Sequence, residues 1–249
     1  MAPTDVGRSA ETQVKYTQFR ELINMHATMC KGMRLAAYWY LDLHAGDGDG
    51  CVQIAYEALR QTALPWAIKA VEIGEQYRTL HARLGHVRGV SLVHGDNQTH
   101  GPAWARACTS RHRGIVLHDS NWFVDLDLLS AFASTPLDVL IYYTATNNKR
   151  VRGVYKDQGV FVEDIIQAAI KQHWVIREPR GKAQWTFLFG SNWDKFQELR
   201  WDKQRFYPLE SPEGRAIFDY INAPSNEQRR HAMQSALART HQLALWGNL

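Results

Sequence analysis

The chain has 249 residues, of which 45% are hydrophobic and 22% charged, and its formal net charge is +4. This composition excludes extended disorder, which requires low hydrophobicity and high net charge, and predicts a globular protein with a sizeable core. No apolar run reaches the roughly 18–20 residues of a membrane span, and the polar N-terminus lacks the apolar segment of a signal peptide. The three cysteines (Cys30, Cys51 and Cys108) form no CxxC pair, which argues against disulfides and cysteine-rich zinc sites. We therefore expect a cytoplasmic protein without a membrane partner.

Helical and strand-like patterns alternate along the first half of the chain. Apolar residues at helical spacing predict a helix over about 12–31, which Gly32 would end. A nearly continuous apolar run from Leu35 to Leu43, interrupted by Asp42, predicts a strand buried on both faces, as in a parallel sheet. Further helices are predicted at 51–61 and 75–84, and further strands at 66–72, 90–96 and 114–119. A basic segment leads into the last of these strands.

The second half continues the alternation and then changes character. Helices are predicted at 125–133, 162–172, 213–221 and 225–244, and strands at 137–143, 174–177 and 184–189. The last two strands must be antiparallel, because only a short Pro-Arg-Gly turn joins them. The predicted fold class is α/β, with a seven-stranded, mostly parallel sheet that ends in an antiparallel strand pair. The predicted domains are a helical lead at 1–34, a core at 35–193 and a helical C-terminal appendage at 194–249.

Four acidic residues follow or end successive predicted strands: Asp42, Glu72, Asp96 and Asp119. Ligands of an open parallel sheet bind outside the carboxyl ends of its strands, so all four acids would face one crevice. The turn Gly46-Asp47-Gly48-Asp49-Gly50 follows the first acid, and its glycines would let the backbone approach a ligand closely.

This pattern resembles the class I S-adenosylmethionine-dependent methyltransferases over about residues 35–193. The segment from Asp42 to Gly48 is similar to the motif that cradles the methionine end of the cofactor in that family. Glu72 matches the acid that binds the ribose hydroxyls, and Asp96 the residue near the adenine. The resemblance implies a Rossmann-like methyltransferase sheet with S-adenosylmethionine as cofactor. It implies the following cofactor-binding residues: Asp42, His44, Ala45, Gly46, Gly48, Glu72, Ile73, Asp96 and Asn97.

The segment Asp119-Ser120-Asn121-Trp122 follows the fourth strand, where the family keeps its catalytic motif. It resembles the amino-methyltransferase pattern of an acid or Asn, two prolines and an aromatic, with Ser120 and Asn121 in place of the prolines. In such a site Asp119 would accept a hydrogen bond from an exocyclic amine, and Trp122 would stack on a flipped base. We therefore expect Asp119, Asn121 and Trp122 to be the catalytic residues. The alternatives are a helix N-cap for Asp119 and a packing role for Trp122.

Weaker signals concern the methyl acceptor. Residues 127–143 resemble the three-Cys-motif partner proteins and phage DNA methylases, and basic residues follow the fifth strand. We expect a nucleic-acid partner, DNA over RNA, methylated at an adenine amine and bound through Lys149, Arg150 and Arg152. Another basic cluster, at 106–113, precedes the fourth strand and would lie away from the crevice. A methyltransferase of a small molecule or protein, and a catalytically silent binding module, are the alternatives.

Other chemistries fit these residues less well. A dinucleotide-binding GxGxxG motif would need a glycine where Cys51 stands, and the acids around the turn would repel a pyrophosphate. Cytosine-C5 methylation needs a Pro-Cys dipeptide after the fourth strand, and the chain contains none. Metal-assisted O-methylation would need more negative charge than Asn147 and Asn148 supply, and no HxxxH spacing supports zinc. No metal site is predicted.

Overall fold

The structure, a computed structural model, describes residues 10–47, 50–119, 124–144, 161–180, 185–198, 201 and 205–222. The described residues belong to two compact units. Those up to Asp119, together with Ser134–Val139, make up the first unit, and the remainder make up the second. None of the helices in the described part of the chain is both long and apolar enough to cross a membrane.

The first unit alternates helices with parallel strands, as the sequence predicts. Its helices are α1 (Ala10–Met29), α2 (Cys51–Leu59), α3 (Gly74–Leu84) and α4 (Asn97–Ala107). Its strands are β1 (Ala37–Asp42), β2 (Trp66–Glu72), β3 (Val90–His94) and β4 (His112–His118). They lie in the order β3-β2-β1-β4 and are all parallel. Their carboxyl ends therefore share one edge of the sheet, and their amino ends share the opposite edge.

Helix α1 covers one face of β1 through an aromatic contact and a buried polar chain. The rings of Phe19 and Tyr40 meet edge to face at 5.8 Å. His26 lies with Nδ1 2.8 Å from the Tyr38 hydroxyl and Nε2 2.7 Å from the Asp138 carboxylate. All of these side chains are buried, and the polar ones satisfy one another, which removes the cost of burying them unpaired. Helix α1 is thus fixed to β1, the first strand of the chain.

The second unit holds the antiparallel part of the fold. Its helices are α5 (Leu126–Ser130), α6 (Val162–Ala169) and α7 (Pro212–Asn222), and a 3₁₀ turn spans Asp194–Glu198. Its strands are β5 (Asp138–Thr144), whose first two residues belong to the first unit, β6 (His173–Arg177), β7 (Trp185–Ser191) and β8 (Phe206–Pro208). The strand order is β5-β7-β6-β8, and β6 is antiparallel to both β7 and β8.

The mostly parallel sheet and its terminal antiparallel pair are confirmed, and two elements depart from the prediction. The described strands number eight, not seven, because β8 adds a three-residue strand too short for any periodic signal. The basic segment before β4 contains helix α4, which the prediction omitted because Gly101 and Pro102 both disfavour a helix interior. The helix predicted at 225–244 lies outside the described residues, and the domain boundaries at 34 and 193 remain predictions.

Gly114 allows β4 to lie close to β1, and this predicts a severe effect of substitution. Its φ is +147°, and a Cβ here would lie 1.8 Å from the carbonyl oxygen of Trp39. Since the backbone of a central strand cannot move aside, Gly114→Ala should lower the free energy of unfolding by more than about 3 kcal/mol. Urea denaturation measures this loss.

Gly32→Ala is the matched control for that measurement. Gly32 also has a positive φ, +84°, but no atom lies within 4 Å of the position its Cβ would take. Backbone strain alone should then cost about 1 kcal/mol. Equal losses in the two variants would contradict the proposed steric role of Gly114.

Candidate functional site

The carboxyl edge of the first unit brings the four strand-end acids to one side of the sheet. Asp42 and Glu72 are the last residues of β1 and β2, Asp96 lies two residues beyond β3, and Asp119 directly follows β4. Because the four strands are parallel, these acids lie along the same edge of the sheet.

Glu72 ties the loop after β1 to the end of β2. Its Oε2 accepts a hydrogen bond from the backbone N–H of Gly46 at 2.6 Å, and its Oε1 accepts one from Ile73 at 2.8 Å. The same loop is held by the backbone bond from Ala45 N to the carbonyl of Val71, at 3.3 Å. Gly46 has a φ of +61°, which a residue with a Cβ rarely adopts. Each carboxylate oxygen of Glu72 keeps a second acceptor position for a ligand.

A cleft of about 190 Å³ opens beside this carboxylate. Its lining residues come from the ends of β1, β2 and β3: Leu43, His44, Val71, Glu72, Ile73, Gly95, Asp96 and Asn97. Ile73 is 62% exposed, which is unusual for a large apolar side chain and leaves a hydrophobic surface at the cleft. Such a cleft suits a ligand with two parts: a flat ring that packs on the apolar surface, and hydroxyl groups that donate to the carboxylate.

Side chains from the loops after β1 and β3 join on the cleft floor. Asn97 donates from Nδ2 to the carbonyl of Leu43 at 3.2 Å and lies 3.3 Å from Nδ1 of His44. Asp96 caps α4, its Oδ1 accepting from the backbone N–H of Gln98 at 3.0 Å. The rings of His44 and His118 meet edge to face at 4.7 Å, and burial lowers the pKa of His118 to about 3. His118 is therefore neutral and acts as a packing group at physiological pH.

Asp42 is buried and is not among the residues that line the cleft. It is 1% exposed, its Oδ2 accepts from the Tyr40 hydroxyl at 2.7 Å, and its Oδ1 accepts from the backbone N–H of His44 at 3.1 Å. Burial raises the pKa of Asp42 to about 7, against the lowering effect of these two hydrogen bonds. The negative charges of Asp119 and Glu72 also favour its protonation. Asp42 thus shapes the turn that leads to Gly46.

Asp119 forms an ion pair that the sequence did not indicate. The ammonium of Lys15, on α1, donates to Asp119 Oδ2 at 2.5 Å, and the two side chains are only 14% and 15% exposed. The Cys51 thiol lies 4.0 Å from the same oxygen. Burial raises the pKa of Cys51 well above its usual value, so the thiol stays protonated and is no nucleophile at neutral pH. Lys15 is 104 residues away from Asp119 in sequence, and no local motif marks it.

The remaining predicted site residues lie outside the described part of the chain: Gly48, Asn121, Trp122, Lys149, Arg150 and Arg152. The helix-cap alternative for Asp119 can be examined. The cap of α5 is Asp125, whose side chain accepts from the backbone N–H of Leu128 at 2.9 Å. Asp119 therefore does not cap that helix.

Comparisons with known proteins identify the fold. No protein-family model matches the sequence, and no curated protein matches it. Among solved structures, protein LPL1258 from Legionella pneumophila aligns with a TM-score of 0.51 and 11% identity, over 71% of this chain and 84% of that one. The CurJ carbon methyltransferase aligns with a TM-score of 0.53 and 14% identity, over 74% of this chain and 56% of that one. The chain has the fold of the class I S-adenosylmethionine-dependent methyltransferases, which confirms the resemblance at the level of the fold.

The buried position of Asp42 predicts a pH-dependent stability. Its pKa rises from 3.8 to about 7 on folding, so the folded protein binds this proton more tightly than the unfolded chain. The contribution of Asp42 to the free energy of unfolding is fully present below about pH 4 and is lost as pH rises to about 7. Asp42→Asn should remove this decrease in the free energy of unfolding between about pH 4 and pH 7.

Urea denaturation of both proteins across that pH range gives the difference in unfolding free energy at each pH. Other titrating groups are common to both proteins and largely cancel in the difference. The exposed Asp47, on the same loop, supplies the control variant Asp47→Asn, whose difference from the wild type should change little. A difference for Asp42→Asn that does not vary with pH would contradict the assignment.

Proposed function

We propose that the chain is a methyltransferase that uses S-adenosylmethionine, bound in the cleft at the carboxyl ends of β1 to β3. One observation carries the proposal: a carboxylate at the end of β2, Glu72, lies beside the cleft and accepts bonds from the backbone of the glycine turn. A methyltransferase fold with an acid and a glycine turn in these positions supports a nucleoside ligand whose ribose hydroxyls donate to Glu72.

The residues of the cleft fit the three parts of this cofactor. Glu72 would hold the ribose, and the exposed Ile73 would pack on the adenine, whose polar edge would face Asp96 and Asn97. The methionine end carries an ammonium and a sulfonium, and an edge lined with carboxylates attracts both positive groups. The same charges disfavour a pyrophosphate, which supports the methyltransferase proposal over a dinucleotide-binding one.

S-adenosylmethionine supplies a methyl group on a positively charged sulfur, and the chain must bring a nucleophile in line with it. Asp119 is the residue that would orient the acceptor. Its described contacts, from Lys15 and Cys51, both reach Oδ2. Oδ1 would then accept a hydrogen bond from the attacking amine, while the ion pair with Lys15 fixes the orientation of the carboxylate.

For the acceptor we favour nucleic acid, with an exocyclic adenine amine as the methylated group and DNA over RNA. The position of Asp119 after β4 supports an amine acceptor, since a carboxylate there can accept from an amino group. A small-molecule or protein acceptor is the second candidate. It is favoured by the acids along the crevice, which would repel phosphates that came close to the cofactor.

The first test concerns the cofactor. Glu72→Gln should weaken S-adenosylmethionine binding at least 10-fold, about 1.4 kcal/mol, because the amide cannot accept from both Gly46 and Ile73 and also from the ribose. Isothermal titration calorimetry measures the affinity. Glu75→Gln is the matched control: Glu75 lies on α3, is exposed and pairs only with Arg78 among described ion pairs. Unchanged affinity in Glu72→Gln would refute this cofactor site.

The second test separates chemistry from binding. Asp119→Asn should reduce turnover at least 100-fold and leave cofactor affinity within about 2-fold, since its partner is the acceptor. Formation of S-adenosylhomocysteine from radiolabelled cofactor is followed with DNA, RNA and a metabolite extract in parallel. Asp127→Asn, at an exposed position on α5, is the control. Full activity of Asp119→Asn on every acceptor that the wild type uses would eliminate Asp119 from the mechanism.

A further inference from the structure

The amino edge of the four parallel strands in the first unit carries a cluster of positive charge. Four short segments precede these strands: 31–36 before β1, 60–65 before β2, 85–89 before β3 and 106–111 before β4. Together they contain six basic residues, here called the amino-edge cluster: Lys31, Arg34, Arg60, Arg88, Arg106 and Arg111. The four segments contain no aspartate or glutamate.

Backbone hydrogen bonds hold these segments side by side. Ala36 N donates to the carbonyl of Arg111 at 2.8 Å, which joins the segments before β1 and β4. Tyr38 N, in β1, donates to Pro65 O at 2.6 Å, and Ile68 N, in β2, donates to Gly89 O at 2.8 Å, so the segments before β2 and β3 are each bonded to the neighbouring strand. The segments therefore follow the strand order, and neighbouring strands lie about 4.8 Å apart. The cluster spans an edge of roughly 14 Å from β3 to β4.

The side chains of this cluster are exposed and form no ion pair within the described part of the chain. All six side chains are exposed, and none of them forms an ion pair with another described residue. Arginines elsewhere in the same unit do pair, Arg20 with Glu57 and Arg78 with Glu75. At the opposite edge the segments 43–47, 73–75 and 95–96 contain acids and no lysine or arginine, and Lys15 of α1 is paired there with Asp119. The first unit is thus polarised along its strands.

Helix ends explain part of the cluster but not all of it. Positive side chains near the C-terminus of a helix interact favourably with its dipole, and three members occupy such positions. Lys31 follows α1, Arg60 caps α2 and Arg106 lies in the last turn of α4. Arg34, Arg88 and Arg111 lie in the loops beyond helix ends. Neither an ion pair with another described residue nor the dipole of a helix explains these three arginines.

We propose that the amino-edge cluster is a docking surface for the phosphate backbone of a nucleic acid, separate from the methyl-transfer cleft. Five of the six members are arginines, whose planar guanidinium binds phosphate through two parallel hydrogen bonds. Each strand of duplex DNA carries a phosphate about every 3.4 Å along its axis, so a 14 Å edge matches about four phosphates. A membrane surface fits less well, because none of the exposed large apolar residues of the described chain (Ile73, Phe161 and Ile170) belongs to the four segments.

This surface would tether a polyanion away from the acids of the cleft. The strands of the first unit have five to seven residues, so the two edges are separated by roughly 20 Å. A bound nucleic acid could reach the cleft only by curving around the unit, or through a segment that leaves the tethered part. The proposal for this surface rests on charge and strand topology alone, and it does not depend on which acceptor the cleft uses.

The test compares two triple variants of the full chain that remove the same amount of charge. The first is Arg34→Ala/Arg88→Ala/Arg111→Ala. The control is Arg20→Ala/Arg78→Ala/Arg205→Ala, three arginines that already pair with glutamates. Fluorescence anisotropy measures binding to a labelled duplex DNA and a labelled single-stranded RNA over a range of salt concentrations. Urea denaturation checks that both variants are folded, and Arg34→Lys/Arg88→Lys/Arg111→Lys supplies a variant that keeps the charge.

We expect the first triple variant to bind at least one of the two probes at least 10-fold more weakly than the wild type. Its log–log salt slope should be smaller by about 2–3, near 0.9 for each phosphate that the variant no longer neutralises. The control should stay close to the wild type, and the lysine variant, which keeps the charge, should keep the salt slope of the wild type. Equal weakening in both alanine variants, or no salt-dependent binding by the wild type, would overturn the proposal. A different result would also overturn it: anionic phospholipid vesicles bind the wild type and not the first variant, while both proteins bind the two oligonucleotides equally well. Calorimetry with S-adenosylmethionine tests the methyltransferase proposal separately on the same proteins.

Discussion

The common direction of β1 to β4 determines where every strand-end side chain of the first unit lies. Each of these strands is flanked by short segments, so the residues before it and after it are held at opposite edges. Acids follow the strands and basic residues precede them. A charge pattern that looks scattered along the sequence therefore becomes two separated surfaces in the folded chain. The cleft and the amino-edge cluster both result from this one constraint.

At the acidic edge the structure must hold several carboxylates close together, and it does so by giving each a different partner. Asp42 is buried and its pKa is raised to about 7, Glu72 accepts two backbone N–H groups, and Asp119 pairs with Lys15. Placing three unpaired carboxylates at this edge would be costly because like charges repel strongly where water is excluded. A cationic ligand would relieve part of this repulsion on binding, which is consistent with the proposed sulfonium cofactor.

Much of this arrangement could be read from the sequence, because β1 and β2 are nearly continuous apolar runs and an acid ends each of them. The features that could not be predicted depend on contacts between distant segments or on very short elements. Helix α4 carries a glycine and a proline that mask its periodicity, and only the cap from Asp96 marks where it begins. Strand β8 has three residues, too few for a period-two pattern. The raised pKa of Asp42 depends in part on the nearby charges of Asp119 and Glu72, which come from distant parts of the sequence.

Lys15 shows most clearly what the sequence conceals. It lies in a helix of low amphipathicity that precedes the first strand, and no sequence motif indicates a functional role for that helix. The fold nevertheless carries α1 along the sheet, because Phe19 packs on Tyr40 and His26 bridges Tyr38 and Asp138. With the helix fixed at these points, its N-terminal turns reach the carboxyl edge, where the Tyr16 hydroxyl would lie 2.9 Å from a Cβ on Gly50. Buried packing near the amino end of β1 thus determines which cation meets Asp119 at the other end.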